Sequence, residues 1–139
     1  IFKDPHRGDA IEELGGMNVF FIFGKENKIV TPELTGTILE GVTRSSLIQL
    51  AKDRGMTVEE RAITLNEWRE GVANGDITEI FACGTAAVVA PIGKLKAEDF
   101  EIPAPTEHFG EISKSLREEL VGIQTGVVED RHGWLTRLI

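Results

Sequence analysis

The chain has 139 residues, 41% hydrophobic and 27% charged, the proportions of one globular domain with a real core. A formal net charge of -8 excludes the basic face needed to follow a nucleic-acid backbone, and the acidic excess reads as a solvated surface. The single cysteine, Cys83, excludes an internal disulfide framework and fits a reducing, cytoplasmic setting, and no apolar run reaches the length of a membrane span or forms a signal peptide.

Ile1–Phe2 reads as the tail of a buried strand running into a turn at Lys3–Asp4–Pro5, as if the chain were cut from something longer. Met17–Phe23 is apolar on both alternating faces, which predicts a strand covered on both sides. Gly24–Asn27 is a turn and Lys28–Ile29–Val30 the returning strand of a hairpin. A loop at Thr31–Gly36 and an apolar step at Ile38–Leu39 lead to a helix from Thr43 to Arg54. That helix places Leu47, Leu50 and Ala51 on one stripe and stops at Gly55. Residues 57–63 form a strand with an exposed face. Thr64–Leu65–Asn66–Glu67 is a capping box, opening a helix that buries Leu65, Trp68 and Val72 and ends near Asn74–Gly75.

Thr78–Cys83 and Ala86–Ile92 are apolar strands across one Gly-Thr turn, and residues 93–108, with Pro103 and Pro105, are expected as a surface loop. A last helix aligns Ile112, Leu116, Leu120 and Ile123, and in the tail Trp134, Leu135 and Leu138 suggest docking on the body. Hairpins and separate helices without regular βαβ alternation predict an α+β domain, layered or barrel-like.

Three short stretches carry possible chemistry. Glu13 precedes the glycine pair of Leu14–Gly15–Gly16–Met17–Asn18, where a missing Cβ lets backbone approach a flat ligand; a surface acid before a turn reads the same way. Leu39–Glu40–Gly41–Val42–Thr43–Arg44 feeds a helix start, whose free amides and positive dipole end suit a phosphate, although Thr43 alone is more often an N-cap. Cys83–Gly84–Thr85–Ala86 offers the same groups, or simply a tight hairpin. One small ligand could use all three.

Elsewhere the ordinary readings prevail. His6, His108 and His132 lack metal-ligand spacing, Cys83 reads as a buried inert thiol, and Trp68 as core. Glu59–Glu60 and Arg117–Glu118–Glu119 read as solvated faces.

Taken together and in order, Glu13–Phe21, Ile38–Arg44 and Ile80–Val89 closely resemble the branched-chain amino-acid aminotransferases, fold-type IV enzymes that use pyridoxal phosphate. The resemblance runs from about Asp9 to the Trp134 region. It implies that residues 1–139 are the C-terminal, cofactor-binding large domain, a barrel-like β core with surrounding helices, without the N-terminal small domain.

Within that resemblance Glu13 would pair with the pyridine nitrogen, and Gly16 and Leu39 would flank the ring. Val42 and Thr43, in the turn that contains Gly41, would hold the phosphate with help from Thr85. The Thr85–Ala86 backbone would lie near the substrate carboxylate. Two departures from the mammalian relatives are Ala87 and Ala90 in place of a Cys-x-x-Cys pair, which removes that thiol redox control, and Gly16 in place of Thr. No metal is implied.

The Schiff-base lysine of the family would lie upstream of Ile1, and Lys3, Lys25, Lys28, Lys52, Lys94, Lys96 and Lys114 match no such position. The resemblance therefore implies a cytoplasmic, dimeric parent in amino-acid biosynthesis. That parent would move amino groups from leucine, isoleucine or valine to 2-oxoglutarate, giving glutamate, while this chain alone would not turn over. A D-amino-acid aminotransferase or aminodeoxychorismate lyase is the nearest rival of the same class. A non-catalytic phosphate-binding or structural fragment is the rival of another class.

Overall fold

The structure, a computed structural model, describes residues 1–4 and 6–139, with Phe2 described by its backbone alone. Its strands up to the first helix are β1 (Phe2–Lys3), β2 (Ile11–Glu13), β3 (Asn18–Phe23) and β4 (Lys28–Thr31). Helix α1 (Val42–Asp53), β5 (Thr57–Glu60), α2 (Leu65–Ala73), β6 (Glu79–Gly84) and β7 (Val88–Pro91) follow. The chain ends with β8 (Lys94–Lys96), β9 (Glu101–Pro103) and α3 (Glu111–Gln124).

Five strands form one sheet in the order β5-β4-β3-β6-β7, antiparallel throughout except for the β4–β5 pair. That parallel pair requires a crossover, and α1 supplies it. β3 lies at the centre, and the period of two explains its unbroken apolar run. Phe20 and Ile22 face a core shared with Leu47 and Leu50 of α1 and Leu116, Leu120 and Ile123 of α3. Val19, Phe21 and Phe23 face a second core with Ile11, Trp68 of α2, Leu95 and Ile102. The α+β expectation holds, and so does the capping of α2, where the Thr64 hydroxyl accepts from the Glu67 amide at 3.0 Å. The Glu67 carboxylate does not complete the box, because Arg61 takes it.

Several expectations are corrected. Residues 93–108 are not all loop: β8 and β9 pair as a hairpin whose Leu95 and Ile102 are buried against the second core. The strand expected to run to Ile63 stops at Glu60. Ile63 turns away, and its carbonyl accepts from the Ile11 amide at 2.8 Å. β1 is a strand paired with β2, but Ile1 is 44% exposed rather than buried, and the expected turn at Lys3–Asp4–Pro5 lies partly outside the described residues. Val72 is half-buried.

Two acidic stretches expected to be solvated are engaged. Glu60 accepts from the buried Arg44 at 2.8 Å, and Glu119 accepts from both Arg54 and Arg131.

The tail docks in part. Arg131 and His132 both reach the Asp53 carboxylate at the end of α1, at 2.9 and 2.6 Å, and the His132 ring stacks on Trp134. Trp134 and Leu135 line a 480 Å³ groove that reaches Val42, Ser45 and Ser46 along α1. Leu138 stands free at 90% exposure and Trp134 and Leu135 remain 37% and 49% exposed, so, contrary to expectation, none of the three is buried on the body, and the tail is held through Asp53 instead.

The start of α3 has no cap of its own. Instead Glu79 of β6, 7% exposed, accepts from the amides of Ile112 and Ser113 at 3.0 and 2.8 Å, as the positive end of a helix favours. A Cβ on Gly110 would meet the Glu79 carboxyl carbon at 2.0 Å, so only glycine admits this cap. Glu79→Ala strands two amides and should cost about 2–3 kcal/mol in urea unfolding.

Hydrogen bonds from Gln49, then His132 and Arg131, hold the Asp53 carboxyl down at about 2, below its usual 3.8. A lowered folded-state value means that the tail clamp contributes fully above the unfolded value and is lost as the pH falls from about 4 towards 2. The stability difference between the wild-type chain and Asp53→Asn, compared at pH values of about 6 and about 2.5, should therefore shrink at the lower pH.

Candidate functional site

The three stretches singled out in the sequence meet at one end of the central sheet, where β3 begins and β6 ends. Asn18 opens β3 and pairs in register with Cys83 of β6, which brings the first stretch to the third. The Asn18 amide also donates to the Leu39 carbonyl at 3.0 Å, which brings in the second. Gly41 completes the junction. Its φ is 72°, and a Cβ there would meet the Asn18 side-chain oxygen at 2.4 Å, so the turn needs glycine on both counts.

Ahead of β3, Gly15 and Gly16 adopt φ of 58° and 86° in a tight turn closed by reciprocal bonds between Leu14 and Met17. Glu13 stands at the base of this turn. One of its carboxylate oxygens is shut off from solvent and has no hydrogen-bond partner among the described residues. A buried acceptor left unpaired is costly and points to a donor that arrives with a ligand.

Helix α1 starts on Gly41 without a side-chain cap, so the Thr43 hydroxyl does not act as the N-cap that its position suggested. The first intrahelical bond comes from the Ser45 amide, and the amides of Val42, Thr43 and Arg44 precede it at the positive end of the helix. Leu39 and Val42 flank this start at 70% and 85% exposure, which is high for large apolar side chains. Arg44 lies buried in the first turn, donating to the Pro32 carbonyl at 2.9 Å and to Glu60.

The third stretch is the hairpin between β6 and β7. Gly84 pairs with Val88, and Thr85, Ala86 and Ala87 form an exposed turn with free backbone and hydroxyl groups. Val88 has φ 57°, an uncommon conformation for a β-branched residue, which fixes the turn at some cost.

The site therefore offers one unpaired acid, a helix start without a side-chain cap, and a second small turn at the same end of the sheet. The free amides can accommodate an anion such as phosphate, and the carboxylate oxygen can accept a hydrogen bond from a donor. Burial pushes the Cys83 thiol up to about 12, even with the Arg44 charge opposing, so it is no nucleophile. None of the seven lysines belongs to these turns; Lys3, Lys25, Lys28, Lys94 and Lys114 pair with acids elsewhere.

The family model described as "Amino-transferase class IV" matches residues 1–95. The chain belongs to the class IV aminotransferases. It is 51% identical, over 99% of its length, to the branched-chain-amino-acid aminotransferase of Mycolicibacterium smegmatis, and 49% identical over the same share to that of Mycobacterium tuberculosis. It spans 38% of the length of each of these relatives. Among solved structures, the branched-chain amino acid aminotransferase of Escherichia coli matches 94% of the chain with a TM-score of 0.77 at 28% identity. That of Thermobaculum terrenum, in its PLP-form, matches 97% of it, with a TM-score of 0.73 at 31% identity. The chain covers 39% of the first of these structures and 40% of the second. The fold is thus that of fold-type IV aminotransferases.

Asn18 and Arg44 had no assigned role in the sequence. Both were detectable as exceptions: an amide opening an apolar strand, and a cation in the first turn of a helix, where the dipole disfavours it. With Cys83 buried, a small aromatic disulfide reagent should label the native chain only as fast as it unfolds. Rapid labelling without urea, followed by absorbance, would contradict this burial.

Proposed function

We propose that these 139 residues are the cofactor-binding large domain of a branched-chain aminotransferase. The parent protein transfers the amino group of leucine, isoleucine or valine to 2-oxoglutarate, giving glutamate. The observation that carries the reading is the unpaired, solvent-shielded oxygen of Glu13, in one of three stretches that meet where β3 begins, together with a helix start in another that has no side-chain cap. Pyridoxal phosphate, when bound, supplies an aromatic ring that withdraws electrons from the substrate α-carbon.

The residues present fit that group. Glu13 holds a proton at the ring nitrogen, which keeps the ring electron-poor. The amides of Val42 and Thr43, beyond Gly41, bind the phosphate, and Thr85 adds a donor. Gly16 would let backbone approach one face of the ring, and Leu39 would pack against the other. The Thr85–Ala86 backbone orients the substrate carboxylate. The lysine that would form the covalent link and act as the base at the α-carbon lies upstream of Ile1 in the parent, which we place in the cytoplasm as a dimer.

In the full-length protein, Glu13→Ala should lower kcat by about 100-fold or more, the scale of a lost preorganised electrostatic contact. Glutamate production with leucine and 2-oxoglutarate measures it, and an unchanged kcat would remove Glu13 from the site. The 139 residues alone should form glutamate no faster than free pyridoxal phosphate does. Turnover above that control would mean that the chain carries its own lysine.

A further inference from the structure

Strand β2 presents two adjacent carboxylates to opposite sides. Glu13 serves the site described above, whereas Glu12 is 7% exposed and lies outside it. Among the described residues Glu12 joins no ion pair. Its partners are hydroxyls: Thr37 donates to it at 2.5 Å and Thr35 at 3.5 Å, and the two threonines lie 2.9 Å from each other. An apolar residue would stabilise such a buried position at least as well as a lone carboxylate. Its value lies in what it holds.

Thr35 and Thr37 stand in the middle of the segment between β4 and α1, which has no regular secondary structure from Pro32 to Gly41. The segment is tied at its start, where Arg44 donates to the Pro32 carbonyl, and near its end, where Asn18 donates to the Leu39 carbonyl. Buried Ile38 adds an apolar anchor. Leu39 itself is 70% exposed, so little protein packing positions its side chain, and its place is set by the backbone that carries it. Glu12 is the side-chain tie in the middle of that backbone.

We infer that Glu12 is a positioning residue: by accepting from Thr37 and Thr35 it fixes the approach to Leu39 and so holds that side chain against the ring of the bound cofactor. The inference rests on the proposed role of Leu39. Glu12 touches neither cofactor nor substrate, and its effect is read in how firmly the ring is held.

The test uses the full-length protein loaded with pyridoxamine 5'-phosphate, the ligand of one solved branched-chain aminotransferase. As an amine it cannot condense with a lysine, so its retention reports the non-covalent seat alone. Its dissociation rate is followed after dilution. Glu12→Ala should release it about tenfold faster, as expected for losing a charge-assisted bond. Thr37→Val should behave likewise, and because Thr37 is exposed it carries the test even where Glu12→Ala does not fold.

Glu12→Gln, whose amide oxygen still accepts from Thr37, should stay within about twofold of wild type. Wild-type rates in both Glu12→Ala and Thr37→Val would overturn the inference, as would a Glu12→Gln variant as leaky as Glu12→Ala. A wild-type protein that retains no pyridoxamine phosphate would instead overturn the proposed function, and the inference with it.

Discussion

The Asn18 side chain is the contact on which the site depends. Its amide nitrogen holds the Leu39 carbonyl, its oxygen occupies the space that a side chain at position 41 would need, and its backbone pairs with Cys83. One residue at the mouth of the central strand thus joins three stretches far apart in the chain. Because β3 is covered on both faces, it has little freedom to shift. A one-residue slip would turn Phe20 and Phe21 into the wrong cores and separate the three turns.

Polar side chains do much of the fixing around that spine. Glu79 replaces the missing cap of α3 from a neighbouring strand, and Arg44 ties the start of the loop before α1. Glu12 ties its middle. Each is buried, and each meets hydrogen-bonding groups, as buried polar groups must. Four buried side-chain atoms among the described residues lack a partner, Arg44 Nε, Trp68 Nε1, Asp130 Oδ1 and one oxygen of Glu13, and of these the Glu13 oxygen is the carboxylate beside the glycine turn that enters β3. Where neighbouring acids are satisfied and one is not, the unsatisfied one is the natural candidate for ligand contact.

The groups that would recognise an anion in the proposed site are mostly backbone amides, not charged side chains. A helix start without a side-chain cap and a hairpin turn at the same end of the sheet present neutral donors whose direction is fixed by the fold. Neutral donors of this kind would suit an anionic ligand on a net negative chain with no lysine in these turns. The exposed Leu39 and Val42 beside these donors supply apolar walls at the edge of a polar seat.

The succession of elements from β3 to β7, the two-sided burial of Met17–Phe23 and the cap at Thr64 were legible in the sequence, because periodicity and capping act over a few residues, whereas the short strand β2 was not read. The β8–β9 hairpin was not, since Pro103 and Pro105 read as loop, and only burial against the second core reveals why Leu95 and Ile102 pair. The acids at Glu60 and Glu119 read as solvated until distant arginines were brought to them. For the site, the sequence by itself determined which residue types stand in the three turns and the family they resemble. Only the tertiary structure decided that those turns share one end of one sheet, that Asn18 joins them and that Glu13 rather than Glu12 is left unpaired. Those facts depend on contacts between residues tens of positions apart, and no local pattern encodes them.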